Sequence, residues 1–184
     1  GTPRFINPVL AVSDVDQDLT ELVYSGLVRR VPNSDDTGSV IIPDLAESYT
    51  VSADGKVYTF VLKKDLVFHD RKPITSADVL FTIKTIQDNQ FQSPLSESWF
   101  GITVEALDAQ TVKITLPRPF SGFLDTATVG ILPAHIWGTL SADEFLASKY
   151  NTLPIGTGPY KVSSISRDKN GLANEYNMNV FTRF

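Results

Sequence analysis

Few side chains in this 184-residue sequence have the types and spacing that chemistry requires. The chain has two histidines, His69 and His135, in separate motifs, and it has no cysteine, which excludes disulfides, thiolate metal sites and cysteine nucleophiles. His69 precedes Asp70, but no second histidine or carboxylate stands nearby at the spacing of a metal ligand. The sequence therefore indicates structural histidines: one in a turn, bonded to the backbone, and one at a helix start.

The other chemistry-bearing residue types are equally scattered. The serines form no Gly-x-Ser-x-Gly elbow, and Asp35-Asp36 lies in a polar loop without an acid–base partner. A net charge of −5 argues against nucleic acid as a partner, because phosphate binding needs clustered lysine and arginine. The sequence predicts no catalytic set, cofactor or metal site, and no apolar run long enough for a transmembrane helix.

The clearest local pattern runs over residues 45–81. Asp54-Gly55 is a tight-turn dipeptide, and the alternation that follows predicts a strand at Val57–Leu62, then a short second strand at 66–68. Thr75 and Asp78 have the spacing of a capping box ahead of an apolar helical stripe. This stretch therefore predicts a strand, a short strand, a turn and a helix.

The same rules predict elements elsewhere in the chain. Ser13 is an N-cap candidate for a helix to about Leu27, with Leu22 on its apolar stripe. Ser141 and Glu144 form a second capping-box pair, and Leu146 is expected to face inward. The further expectations are a hairpin over 102–116, short helices after 120 and 133, and strands at 160–165 and 175–184.

Two motifs give the chain a family resemblance. The residues of the first motif are Leu45-Ala46-Glu47, Asp54-Gly55, Phe60-Val61-Leu62, Lys63-Lys64, Phe68-His69-Asp70 and Ser76-Ala77-Asp78-Val79. The second motif is Gly-Thr-Gly-Pro-Tyr at 156–160. Together they resemble the family 5 extracellular solute-binding proteins. One residue departs from the family pattern: the turn glycine that follows Asp70 in the family is Arg71 here, which weakens the expectation of a left-handed residue at this position.

The resemblance implies a fold class and a domain plan. The fold would be mixed α/β, like a type II periplasmic binding protein, with this chain supplying part of lobe I and its extra small subdomain. Residues 1–43 would start the lobe I core, 44–154 would form the inserted α/β subdomain, and 155–184 would return to the core. Lobe II would be absent, so the chain is expected to be a truncated piece of a longer protein.

The resemblance also implies which residues face a ligand. In the family the backbone ahead of the first Asn-Pro turn lies along the cleft, so Pro3, Arg4 and Phe5 are expected ligand-binding residues. The loop with Ser96 and Trp99 is expected to approach the cleft from the same lobe. Arg4 could pair with a ligand carboxylate, whereas Trp99 could instead pack a hydrophobic corner.

By the same resemblance, the chain is a receptor and not an enzyme. It would deliver a small solute, chiefly a peptide, to an ABC permease, as a monomer, in the periplasm or outside the cell on the outer face of the membrane. Two alternatives remain: a hydrolase acting on a surface polymer, and a sensor with the same fold. A hydrolase would need a converging nucleophile, base and orienting group, and no such set is readable.

Overall fold

The computed structural model describes residues 2–35 and 37–182, so Gly1, Asp36, Arg183 and Phe184 lie outside the described residues. The last two positions of the strand predicted at 175–184 and the second half of the Asp35-Asp36 loop therefore stay predictions. The helices are α1 (Asp14–Val23), α2 (Ser76–Gln87), α3 (Phe123–Thr126), α4 (Ala134–Trp137) and α5 (Ala142–Ala147), with 3₁₀ turns at Asn89–Phe91, Ser96–Trp99 and Lys149–Asn151. The strands are β1 (Val28–Pro32), β2 (Ser39–Pro43), β3 (Ala46–Val51), β4 (Val57–Leu62), β5 (Thr103–Ala106), β6 (Thr111–Thr115), β7 (Tyr160–Arg167) and β8 (Ala173–Val180).

A four-stranded antiparallel sheet in the order β3-β4-β6-β5 lies at the centre of the fold. The predicted alternation of β4 is confirmed, because Tyr58, Phe60 and Leu62 are buried while their neighbours are half-buried. The expected hairpin over 102–116 is also confirmed as the β5–β6 pair. Helix α2 packs against β5 and β6 and covers the sheet.

Helix α2 begins where its capping box places it. The Thr75 side chain accepts a backbone N–H of the first turn, and the Asp78 carboxylate accepts the Thr75 N–H at 2.9 Å. Ile83 and Ile86 are fully buried on the predicted stripe. A second capping box, between Ser141 and Glu144, starts α5 as predicted.

Aromatic side chains fill the space between the sheet and the short helices. The Tyr58 ring lies 4.7 Å from the Phe123 ring, and Trp99 meets Phe123 edge-on at 5.9 Å. On the other side of α2, the Trp137 and Phe145 rings are 4.4 Å apart. These large apolar surfaces anchor α3, α4 and α5, which are too short to be stable alone.

Two further hairpins stand outside the central sheet. The first pairs β1 with β2, and the second pairs β7 with β8. The prediction of strands around the turn at 168–171 is confirmed by the second hairpin. Strand β3 was not predicted, because only Ala46 in it is fully buried and its sequence lacks a strong alternation.

Four local predictions are wrong. Helix α1 ends at Val23 and not near Leu27, because Tyr24 is extended with φ −118° and ψ 144°. Leu22 and Leu146 are 41% and 40% exposed, so neither faces inward. The short strand expected at 66–68 is a single bridge between residues 67 and 73.

The turn at Arg71 is left-handed although it lacks glycine. Arg71 has φ 68°, so the expectation of a weakened left-handed turn is wrong. Its guanidinium lies 4.7 Å from the centre of the Phe181 ring, and Nη1 reaches the carbonyl of Thr182 at 3.5 Å. The side chain therefore adds contacts that a glycine would not have.

Candidate binding cleft

An open cleft of about 740 Å³ lies beside α1, β1 and the segment that follows α3. This volume falls within the range of about 300–1,000 Å³ that is typical of small-molecule sites. Apolar and polar groups alternate around it, with Ala11, Val28 and Val129 on its walls. The cleft could therefore hold a small molecule with both apolar and polar parts.

Helix α1 forms one wall of the cleft. Ser13 caps the helix by accepting the Asp16 N–H at 3.2 Å, and the turns that follow present Gln17, Thr20 and Glu21 to the cleft. Tyr24, just past the helix, is 4% exposed, and burial raises the pKa of its phenol. The phenol is therefore neutral, and within residues 2–35 and 37–182 its oxygen has no hydrogen-bond partner.

Charged side chains of both signs line the cleft. Arg29 and Arg30 come from β1, and Arg30 forms an ion pair with Asp125 in α3. Glu21 and Asp44 also border the cleft. Because the Arg30–Asp125 pair is about half exposed, it contributes little to stability, and its main effect is on the charge pattern that a ligand meets.

The 156–159 loop holds the end of α1 in place. The backbone N–H of Gly158 donates to the Val23 carbonyl at 2.7 Å. The Thr157 hydroxyl accepts the Ser25 N–H at 2.7 Å and donates to the Ser25 carbonyl at 3.2 Å. Pro159 then lines the cleft itself, so the loop fixes where the α1 wall ends.

The close packing of this loop against the end of α1 requires glycine at positions 156 and 158. A Cβ on Gly156 would lie 2.1 Å from the Val23 carbonyl oxygen, and a Cβ on Gly158 would lie 2.6 Å from the Val23 carbonyl carbon. The backbones could not approach this closely with any other residue type. The sequence reading of a close backbone approach in this motif is confirmed.

The structure brings Trp99 to the cleft but separates it from Ser96. Trp99 is 1% exposed, packs on Phe123 and still lines the cleft wall. Ser96 borders a separate shallow depression beside Phe100. Trp99 therefore acts as part of the core and as part of the cleft wall, and the two readings of this residue are compatible.

The N-terminal segment with Pro3, Arg4 and Phe5 does not contribute to the cleft lining. The backbone N–H groups of Arg4 and Phe5 donate to one carboxylate oxygen of Asp16, at 2.7 and 3.1 Å. The Arg4 guanidinium lies 4.9 Å from the centre of the Phe5 ring. Asp16 thus ties this segment to α1, and ligand contacts by these three residues stay a prediction.

His69 is the turn histidine that the sequence predicts. It is 2% exposed, its Nδ1 accepts the Gly156 N–H at 3.1 Å, and its Nε2 donates to the Gly158 carbonyl at 2.9 Å. These partners assign the neutral ring with the proton on Nε2. The role of this histidine is thus structural, and it connects the turn at 68–71 to the 156–159 loop.

The sequence predicts that His135 bonds the start of a helix, whereas in the structure its partner is the Asp70 side chain. Its Nε2 lies 2.7 Å from the Asp70 carboxylate. Burial raises the pKa of Asp70, but the hydrogen bonds from His135 and the Lys72 N–H outweigh that effect and hold it below the usual range. Asp78, close by, has a raised pKa because burial dominates over its bonds from Thr75 and Ala134.

The described part of the chain has no group of three His, Cys, Asp or Glu side chains that could hold a metal ion. None of the helices within 2–35 and 37–182 combines the length and the hydropathy of a membrane span. The cleft offers hydrogen bonds, ion pairs and apolar contact to a ligand.

Sequence reasoning missed most of the cleft. Gly26, Arg29 and Val129 line it, but each lies in a different element, and Arg29 and Val129 stand in no recognisable motif. The one available signal was the tyrosine-x-glycine-leucine run at 24–27, which marks a close approach: a Cβ on Gly26 would lie 2.4 Å from the Thr128 carbonyl oxygen.

Known proteins resemble this chain over most of its length. The family described as bacterial extracellular solute-binding proteins, family 5 Middle, matches residues 40–174. A Brucella ovis protein named as an ABC transporter peptide-binding protein is 34% identical over 138 residues, which is 73% of this chain and 26% of that protein. Di/tripeptide-binding protein 1 of Pseudomonas aeruginosa is 31% identical over 189 residues, covering 91% of this chain and 34% of that protein.

A solved structure shows the same fold. NikZ of Campylobacter jejuni, in complex with Ni(L-His), superposes with a TM-score of 0.79 at 34% identity, over 90% of this chain and 32% of that chain. The predicted mixed α/β fold of a type II periplasmic binding protein is confirmed. This chain spans about a quarter to a third of the length of these relatives.

Proposed function

This chain belongs to the bacterial extracellular solute-binding proteins of family 5, and we propose that it forms one wall of the solute cleft in a receptor for an ABC importer. The observation that carries the proposal is the cleft of about 740 Å³ along α1. It is lined by Pro159 of the second resemblance motif, by Trp99 and by Asp44, which directly precedes the first motif.

The receptor works as a trap with two lobes. Residues 1–43 and 155–184 belong to the core of lobe I, and residues 44–154 form its inserted subdomain. A solute that touches both lobes stabilises the closed form, because only that form offers contacts on both sides. One lobe alone leaves half of the solute in water, so the 184-residue chain binds solute much more weakly than the longer protein does.

Peptides are the proposed class of solute. Two similar proteins carry peptide-binding names, and the mixture of Arg29, Glu21 and apolar walls suits a ligand with amide groups and varied side chains. Trp99 contributes to the wall, and the proposed solute contacts of Pro3, Arg4, Phe5 and Ser96, which lie outside this lining, are supported by the family resemblance alone.

The receptor acts outside the cytoplasm and hands its solute to a membrane permease. The family is described as extracellular, which supports a periplasmic or extracellular location on the outer face of the membrane. We propose a monomer, because a two-lobed trap closes on its solute without a second copy. The family consists of binding proteins, and the chemistry of binding is sufficient for this role.

A cleft-filling substitution tests the proposal. Ala11 lines the cleft, so Ala11→Trp should fill it, whereas Ala109→Trp, at the exposed β5–β6 turn, should leave it open. In the longest natural form of the protein, calorimetry with a pool of di- to pentapeptides should show binding that Ala11→Trp abolishes and Ala109→Trp preserves. Absence of binding by the wild type, or equal binding by both variants, would contradict the proposal.

A further inference from the structure

We propose that neutral His69 is a positioning residue for the α1 wall of the cleft, and that its protonation weakens solute binding. The inference rests on the proposed function of the cleft. His69 itself is remote from the solute, so its effect passes through the 156–159 loop.

His69 grips the 156–159 loop with three hydrogen bonds. Its ring accepts the Gly156 N–H at 3.1 Å and donates to the Gly158 carbonyl at 2.9 Å. Its own backbone N–H donates to the Gly156 carbonyl at 3.0 Å. Only the neutral ring protonated at Nε2 can make both side-chain bonds at once, so this grip depends on the protonation state of the imidazole.

The 156–159 loop is in turn hydrogen-bonded to the cleft wall. The Gly158 N–H bonds the last carbonyl of α1, at Val23, and the Thr157 hydroxyl makes two bonds to the backbone of Ser25. Ser25 lines the cleft, and so does Pro159, the residue after Gly158. Every step from His69 to the wall is therefore one hydrogen bond or one peptide unit.

A proton on Nδ1 removes the acceptor for the Gly156 N–H. Two donors then face each other at a buried position, and the Gly156 N–H loses its partner. The chain has one other histidine, His135, and it bonds Asp70 at the surface of the same turn. His69 is thus the histidine whose protonation acts on the loop.

The charges around His69 favour the neutral ring while the loop is held. The Lys161 ammonium donates to the His69 carbonyl at 3.0 Å. The Arg71 guanidinium stacks on Phe181, whose ring lies 4.8 Å from the His69 ring. Burial and these two cations oppose an imidazolium there, whereas the charged Asp70 carboxylate, which accepts from His135, favours it. Acid therefore favours a state in which the 156–159 loop has moved away.

The pH profile of binding tests the proposal in the longest natural form of the protein. His69→Asn keeps an acceptor oxygen near the Nδ1 position but does not titrate, and His135→Asn is the matched control. With a pool of random tripeptides as the probe, wild type and His135→Asn should lose about tenfold in affinity between pH 7.5 and 5, the effect of one lost buried hydrogen bond. His69→Asn should bind about tenfold more weakly than the wild type at pH 7.5, because it lacks the donor to the Gly158 carbonyl, and should lose less than about twofold more between pH 7.5 and 5.

Other results would overturn the positioning role. It is overturned if His69→Asn follows the wild-type profile, or if the wild-type profile is flat. If the wild type binds no tripeptide at all, the proposed peptide function fails, and hydrogen exchange of the Gly156 amide decides about His69 without a solute. Protection lost at pH 5 in the wild type but kept in His69→Asn supports the role, and equal protection in both overturns it.

Discussion

Substitution of Gly156 by alanine should be strongly destabilising for a purely steric reason. The added Cβ would lie 2.1 Å from the Val23 carbonyl oxygen and 2.8 Å from Val23 Cγ1. Contacts this short force the 156–159 loop away from α1 and cost about 1–3 kcal/mol as overpacking. The displaced loop also weakens the Gly158-to-Val23 hydrogen bond, which is worth about 1 kcal/mol.

The expected net loss is about 1–3.5 kcal/mol once the gain of about 0.4–1 kcal/mol from a stiffer unfolded chain is subtracted. For a chain of this size, that loss lowers Tm by roughly 2–14 °C. The assay is urea unfolding with a constant m-value, supported by a thermal scan.

Gly171→Ala is the matched control. Gly171 has φ 79° and nothing within 4 Å of its Cβ position, so alanine there costs only the left-handed conformation, about 1–2 kcal/mol. If Gly156→Ala loses no more stability than Gly171→Ala, the close approach of the loop to α1 is not what the two glycines provide, and the reasoning is refuted.

Three further predictions concern stability. Tyr24→Phe should leave the free energy of unfolding unchanged or raise it by up to about 1 kcal/mol, because the phenol oxygen is buried without a partner among the described residues; a loss above 1 kcal/mol in urea unfolding would contradict this. Arg71→Gly should be more stable than Arg71→Ala by about 1 kcal/mol, since both lose the Phe181 stack but only alanine keeps the cost of φ 68°; equal midpoints would argue against a left-handed turn. Burial raises the pKa of Asp78, so its stabilising share is fully present below the unfolded pKa of about 3.9 and is lost as the pH rises through the folded value. The stability of the wild type relative to Asp78→Asn should therefore fall as the pH rises above about 4, and a constant difference in urea unfolding would show that the Asp78 pKa is not raised.

Local signals predicted the elements that depend on neighbouring residues. The capping pairs Thr75–Asp78 and Ser141–Glu144 act within a few residues, so their spacing alone gives the helix starts. The alternation of β4 likewise gives its buried face. The wrong prediction for Leu22 shows the limit of such local signals, because an apolar stripe on a helix does not indicate how much of that stripe the rest of the protein covers.

The cleft could not be predicted from such signals. Its wall depends on the pairing of Thr157 with Ser25, and these residues are 132 positions apart in sequence. The Asp70–His135 pair spans 65 positions and was missed for the same reason. The resemblance supplied Trp99, but the lining by β1 and by the segment after α3 follows only from how the elements pack.

The contact between the 156–159 loop and α1 also sets the order in which parts of the chain can fold during synthesis. Thr157 reaches Ser25 across 132 positions, and Asn7 bonds Asn151 across 144. At a synthesis rate of about 5–20 residues per second, the first helix waits on the order of ten seconds before its partner loop exists. During that interval the N-terminal segment lacks the contacts that Thr157 and Asn151 provide, so the end of α1 is held in place only after the later part of the chain has been made.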